Sequence, residues 1–201
     1  MQAEQNVAHD LPAGQPGASA GERGKTILRD IAETIALFLV VFTLSQVFLG
    51  NFMIEQVSAV PNFMPGERIL VDKVLYKLTG LNRGDMIVGK WSSDPTDVFK
   101  RVVGLPGERV EIRDSQVFVN GARIEESYLL APGAKEGTGS YGQAWQLGAG
   151  EYFVMGDNRI QSGDSRRRGP MQAESIVGRA WLRYWPFSKF ALVQGMTYAE
   201  P

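Results

Sequence analysis

The chain has 201 residues, a net charge of −1, no cysteine and a single histidine, His9. The missing cysteines exclude disulfides, thiolate catalysis and Cys-ligated metals, and the near-neutral balance offers no basic face for nucleic acid. His9 stands in a Gly-, Ala-, Pro- and Gln-rich tail that buries no core, so a folded Ser-His-Asp triad and a His-rich zinc site are excluded, and a hydrolase here must take its base from Lys, Asp, Glu or a terminal amine.

Residues 1–24 read as a flexible cytoplasmic tail, without the apolar stretch of a cleaved signal peptide. Residues 25–50 read as a transmembrane helix. The run IAETIALFLVVFTLSQVFLG is long enough to cross a hydrocarbon layer ~30 Å thick. The alternative is the buried core helix of a soluble domain. Arg23, Lys25 and Arg29 precede the run and the next positive charge is Arg68. Counting Lys and Arg therefore keeps the N-terminus cytoplasmic and puts residues 51–195 outside, as an extracytoplasmic β-domain.

From Arg68 onward the pattern is that of short strands. RILVDKVLY, DMIVGKW, DVFKRVVGL, RVEIRDSQVFVNG, EYFVMG and IVGRAWLRYWP are rich in Val, Ile and aromatics and separated by Gly, Pro, Asn and Asp turns. Asn120-Gly121 fits a hairpin turn. Residues 131–149, Gly-rich and poor in apolar side chains, read as a long surface loop. The expected architecture is mostly β: an N-terminal span followed by an antiparallel domain.

Three stretches could carry chemistry. Residues 51–73 place Ser58 on a loop punctuated by Pro61 and Pro65, where the alternatives are a nucleophile and an ordinary loop hydroxyl. Lys100 lies inside the apolar strand Phe99-Lys100-Arg101-Val102-Val103-Gly104. Alternation puts Lys100 and Arg101 on opposite faces, so one of them is expected to point at the core or a cleft. A buried lysine loses its charge readily and can then take a proton from a serine hydroxyl, whereas an edge-strand lysine in solvent cannot. Residues 156–169 gather Asp157, Ser162, Asp164, Ser165 and Arg166 into one loop, either a solvated turn or a shell that holds Lys100.

Together these stretches resemble the bacterial type I signal peptidases. Ser58-Ala59-Val60-Pro61-Asn62-Phe63 with residues 66–73 resembles their serine box. Lys100-Arg101-Val102-Val103-Gly104-Leu105-Pro106-Gly107-Glu108 resembles their lysine box, and residues 156–166 their C-terminal box. The resemblance, over about residues 25–190, implies Ser58 as nucleophile, Lys100 as general base and Ser162 as the group orienting Lys100. Asp164 and Arg166 would hold the loop, and Arg101 would pair with Asp157. The Ser58 N–H and Gln56 would form the oxyanion hole, and Phe63 and Phe99 would line shallow pockets for small side chains. The implied substrate is an exported preprotein with a small-x-small cleavage sequence, bound extended along a strand edge at the membrane lipid. No cofactor is implied.

Several positions depart from the family pattern. Ala59 replaces a Met, Gln56 a Ser or Thr, Glu55 a Pro, Asn62 a Thr and Ile160 an acidic residue. They leave two expectations: a working Ser/Lys peptidase, or a weak or inactive relative acting as a membrane-anchored binding domain for preproteins or partner proteins.

Overall fold

The computed structural model describes residues 20–130, 135–139 and 142–195. Residues 1–19 of the expected tail lie outside the described residues. Helix α1 runs over Ala20–Phe48, and the expected span stops there because Leu49 and Gly50 already belong to a strand. Within α1, Ile27–Phe48 is 22 residues long with a mean hydropathy of 2.0, and none of it is buried. Its length and apolar composition make it a candidate membrane span. The chain divides into two compact units, Met1–Thr43 and Leu44–Pro201.

The second unit is antiparallel throughout. Strand β1 (Leu49–Met53) pairs with β2 (Arg68–Asp72), and the connection between them carries Ser58. The expected strand RILVDKVLY is cut short at Asp72. Its carboxylate accepts the N–H groups of Val74, Leu75 and Tyr76 at 3.1, 2.7 and 2.9 Å and turns the chain into the short helix α2 (Leu75–Thr79).

Strands β3 (Met86–Trp91) and β4 (Asp94–Gly104) follow. Next come β5 (Arg109–Arg113), β6 (Gln116–Val119) and β7 (Ala122–Arg123). The run RVEIRDSQVFV is therefore a hairpin and not one strand. Asp114 and Ser115 take φ of 50° and 59°, the left-handed pair a two-residue turn needs, and Asn120-Gly121 makes the second such turn with φ of 51° and 85°. Inside the expected loop 131–149 lies a further strand, β8 (Gln143–Gln146), paired with β5 and anchored by Trp145 at 4.7 Å from the Phe153 ring.

Strand β9 (Glu151–Met155), helix α3 (Ser165–Arg168), β10 (Met171–Gln172), β11 (Ile176–Trp185) and β12 (Ala191–Leu192) complete the unit. The large sheet has the order β1-β2-β11-β3-β4-β9-β10, with β12 added on β11, and the small sheet the order β7-β6-β5-β8. One apolar cluster, with Ile54, Phe63, Ile69, Val88 and Phe99, fills one side of the large sheet. A second, with Tyr76, Ile87, Val98, Val102 and Val154, fills the other. A third, with Val103, Val110, Ile112, Phe153 and Met155, joins the two sheets. Strand β4 is covered on both faces, so every position from Val98 to Gly104 is buried. Both Lys100 and Arg101 are inside, where alternation alone called for one.

Candidate active site

The loop bearing Ser58 is closed at its base by Gly66 N–H to Ile54 carbonyl (2.7 Å) and Ile54 N–H to Glu67 carbonyl (2.9 Å). Val57–Ala59 forms a single 3-10 turn, and Ser58 is 2% exposed. Its carbonyl accepts Asn158 N–H at 2.9 Å, while Asn158 Nδ2 donates to the Val57 carbonyl at 3.2 Å. The C-terminal loop therefore grips the serine turn by its backbone. Gly156 makes that grip possible: a Cβ there would lie 2.5 Å from the Ser58 carbonyl oxygen and 2.4 Å from Ser162 Oγ. Close approach, not dihedral freedom, requires glycine at this position.

Ser58 Oγ donates to the carbonyl of Phe99 at 3.3 Å, the residue before Lys100. The hydroxyl thus rests against β4 at the lysine. Among the described residues it makes no hydrogen bond to Lys100 Nζ, and 3.3 Å is long for a hydroxyl donor. Lys100 is 1% exposed. Burial pushes its ammonium down from 10.5 to about 8, with Arg168 and Arg166 adding to the shift and Asp164 and Asp157 opposing it. At neutral pH a usable fraction of the amine is therefore uncharged.

The C-terminal loop is built on buried ion pairs. Arg101 holds Asp157 through two bonds, Nε to Oδ1 at 2.8 Å and Nη2 to Oδ2 at 2.6 Å, and its Nη1 donates to the Gly84 carbonyl at 2.8 Å. Asn62 Nδ2 donates to the same Asp157 carboxylate at 2.7 Å and to the Tyr128 carbonyl at 2.9 Å. Asp164 receives Arg166 Nε and Nη2, each at 2.8 Å, and the Gly156 N–H at 3.1 Å. Burial works against the ionised form of Asp164, but the Arg166 guanidinium and these N–H groups outweigh it and hold the carboxyl below its usual range. Ser162 Oγ is buried beside Gly156, and no hydrogen bond ties it to Lys100.

Beside the serine turn lies a cleft of about 250 Å³ lined by residues 51–56 on one wall and by Thr96, Asp97 and Phe99 on the other. Gln56 and Phe99 are on it. Phe63 is not; it is buried behind, edge-on to Phe99 at 5.1 Å. The two walls are strands that the sheet order keeps far apart. Curling of the sheet brings β1 to the free side of β4, where Phe52 stacks on Phe99 at 5.9 Å.

The Ser58 hydroxyl rests on the carbonyl that precedes the buried Lys100, and the cleft is lined by Gln56 and Phe99, close in sequence to both. Residues 27–185 match the family described as signal peptidase, peptidase S26. The chain belongs to that family. Membership makes it a serine endopeptidase, a hydrolase. Signal peptidase I U of Bacillus subtilis is 36% identical over 172 residues, which are 82% of this chain and 90% of that one. Signal peptidase IB of Staphylococcus aureus strain COL is 34% identical over 179 residues, 83% of this chain and 93% of that one. A crystal structure of a signal peptidase I from Enterococcus faecalis, 34% identical, covers 49% of this chain and 95% of its own with a TM-score of 0.42.

For a signal peptidase the sequence motifs left part of the supporting frame unmarked. Arg159 is buried and donates to Glu126, to Thr138 Oγ1 at 2.9 Å and to Tyr128 hydroxyl at 2.9 Å. The Arg101 guanidinium lies over the Tyr128 ring at 4.3 Å. Glu126 and Tyr128 lie in Glu125-Glu126-Ser127-Tyr128, outside all three motif stretches. The one available signal was compositional: a buried arginine in the C-terminal loop needs a carboxylate from elsewhere in the chain.

Proposed function

We propose that this protein is a membrane-bound endopeptidase that removes N-terminal signal peptides from exported preproteins, with Ser58 as nucleophile and Lys100 as general base. The observation that carries the reading is the dry Lys100 amine, lowered to about 8, with the Ser58 hydroxyl seated on the neighbouring carbonyl. A turn of the Ser58 side chain from the Phe99 carbonyl toward Nζ starts the reaction. Neutral Lys100 takes the hydroxyl proton as Oγ attacks the scissile carbonyl. The oxyanion is met by the Ser58 N–H and the Gln56 amide. Lys100 returns the proton to the leaving amine, and water, activated the same way, releases the acyl group from Ser58. Ser162, whose buried hydroxyl has no hydrogen-bond partner among the described residues, would orient Lys100 once Nζ turns to it in the reacting complex, while Asp164–Arg166 and Arg101–Asp157 keep the loop in shape.

The substrate binds extended between the cleft walls by main-chain pairing, its small residues at −1 and −3 against Phe99 and its neighbours. The span in α1, with the N-terminus cytoplasmic, holds the peptidase unit at the membrane surface from which preproteins emerge, which raises its effective concentration for them. A second reading is a weak or inactive relative that binds preproteins. It is favoured by the Ser58 hydroxyl donating to the Phe99 carbonyl in place of Lys100, and by Gln56, Ala59 and Ile160. Turnover of a small-x-small peptide by wild type, Ser58→Ala and Lys100→Arg separates the two. The enzyme reading expects loss of cleavage in both variants, since arginine does not give up its proton at working pH. Equal rates in all three proteins would leave only the binding reading.

A further inference from the structure

The cleft contains two charged side chains, and both are acidic. Glu55 stands on the β1 wall, where the family resemblance calls for proline, and Asp97 stands on the β4 wall. Both are exposed, and among the described residues neither has a hydrogen-bonded or ion-paired partner. Arg68 lies opposite Met53 across the β1–β2 pair but makes no ion pair with Glu55. The two carboxylates both line the cleft. The β1 side is the edge of the large sheet, and β9 meets β4 only from Arg101 onward, leaving residues 96–99 unpaired toward the cleft.

We infer that this cleft selects preprotein segments with a positive side chain close to the scissile bond and disfavours acidic ones. The inference rests on the peptidase reading above and adds a charge preference to it. A strand lying in the cleft alternates its side chains. Those at −1 and −3 share the face of Phe52, Ile54 and Gln56, which point inward. Those at −2 and −4 share the face of Met53 and Glu55, which is exposed. A lysine or arginine at −2 or −4 then meets Glu55 across the strand pair, and Asp97 adds to the field from the other wall. A glutamate at either position is repelled by both.

The test uses the full chain in nonionic detergent and peptides that share one Ala-x-Ala core. Lys, Gln or Glu is placed at x or at the residue before the upstream alanine, and kcat/KM is measured for each. An exposed carboxylate facing an opposite charge is worth about two- to fivefold. The lysine peptide should therefore exceed the glutamate peptide by roughly tenfold at one or both positions. The ratio should fall toward unity at about 1 M salt, where the screening length is about 3 Å.

In Glu55→Gln/Asp97→Asn the ratio within that one protein should collapse, whatever its absolute rate, and in Glu55→Lys it should invert. Cleavage of all peptides at equal rates, or a charge preference that survives in the double variant, overturns the inference and leaves the peptidase reading standing. No cleavage of any peptide by wild type overturns both.

Discussion

Replacing Lys100 by methionine should make the protein more stable and inactive at once. Methionine keeps the length of the side chain and removes the ammonium. The lysine titrates at about 8 in the folded protein against an ordinary 10.5. At about 1.4 kcal/mol per unit, the difference is about 3 kcal/mol spent at neutral pH on keeping a charged amine dry.

The sign follows from proton counting. The folded pKa is the lower one, so between the two values the unfolded chain holds more protons and wild-type stability rises with pH. Below about pH 8 the lysine imposes its full cost; by about pH 10.5 the pH-dependent part is gone. The variant's advantage in urea unfolding, followed by tryptophan fluorescence, should be about 3 kcal/mol near pH 7 and should shrink steadily above pH 8. Over the same range wild-type kcat/KM should rise about tenfold between about pH 7 and pH 9, as the neutral fraction climbs from about one-tenth to about nine-tenths. An advantage that is the same at both pH values would show that the amine is not desolvated. Cleavage by Lys100→Met at the wild-type rate would remove it as the base.

The buried frame yields two more expectations. Asp157→Ala leaves the Arg101 guanidinium, 3% exposed, without its carboxylate. The cost should be about 3–5 kcal/mol, read as a fall in Tm of about 10 °C, and a second substitution, Arg101→Met, should recover part of it. Gly156→Ala places a methyl group 2.5 Å from the Ser58 carbonyl oxygen and should push the serine turn off the loop. A displacement of about 1 Å is enough to lower peptide turnover about a hundredfold. Turnover within a factor of a few of wild type would mean the turn is not held where the loop puts it.

The β-rich class was legible because Val, Ile and aromatic runs at short spacing admit few other folds, and the apolar segment at the N-terminus forms the long helix it suggested. Strand limits were less legible wherever one polar side chain decides them. Asp72 ends β2 by capturing three N–H groups, which no alternation pattern reveals. β8 hides in a Gly-rich stretch because only Trp145 needs burial there. The motifs pointed to Ser58, Lys100 and the C-terminal loop, and these do converge in space. The cleft was not legible, because it arises from sheet curvature bringing β1 to β4. The partners of Arg159 were not legible either, since the buried ion pair joins residues 33 apart, neither of them in a strand or helix.

The lysine's dry surroundings are a late product of the chain. Its charged neighbours, Asp157, Asp164, Arg166 and Arg168, all come from one segment near the C-terminal end, which also clasps the serine turn through Asn158. On the proposed chemistry, a polypeptide emerging N-terminus first carries serine and lysine long before it carries their roof. Until that segment arrives the amine is hydrated, protonated and inert. On that chemistry, a copy that has not yet made residues 157–168 would lack the segment that surrounds the amine and would be inactive.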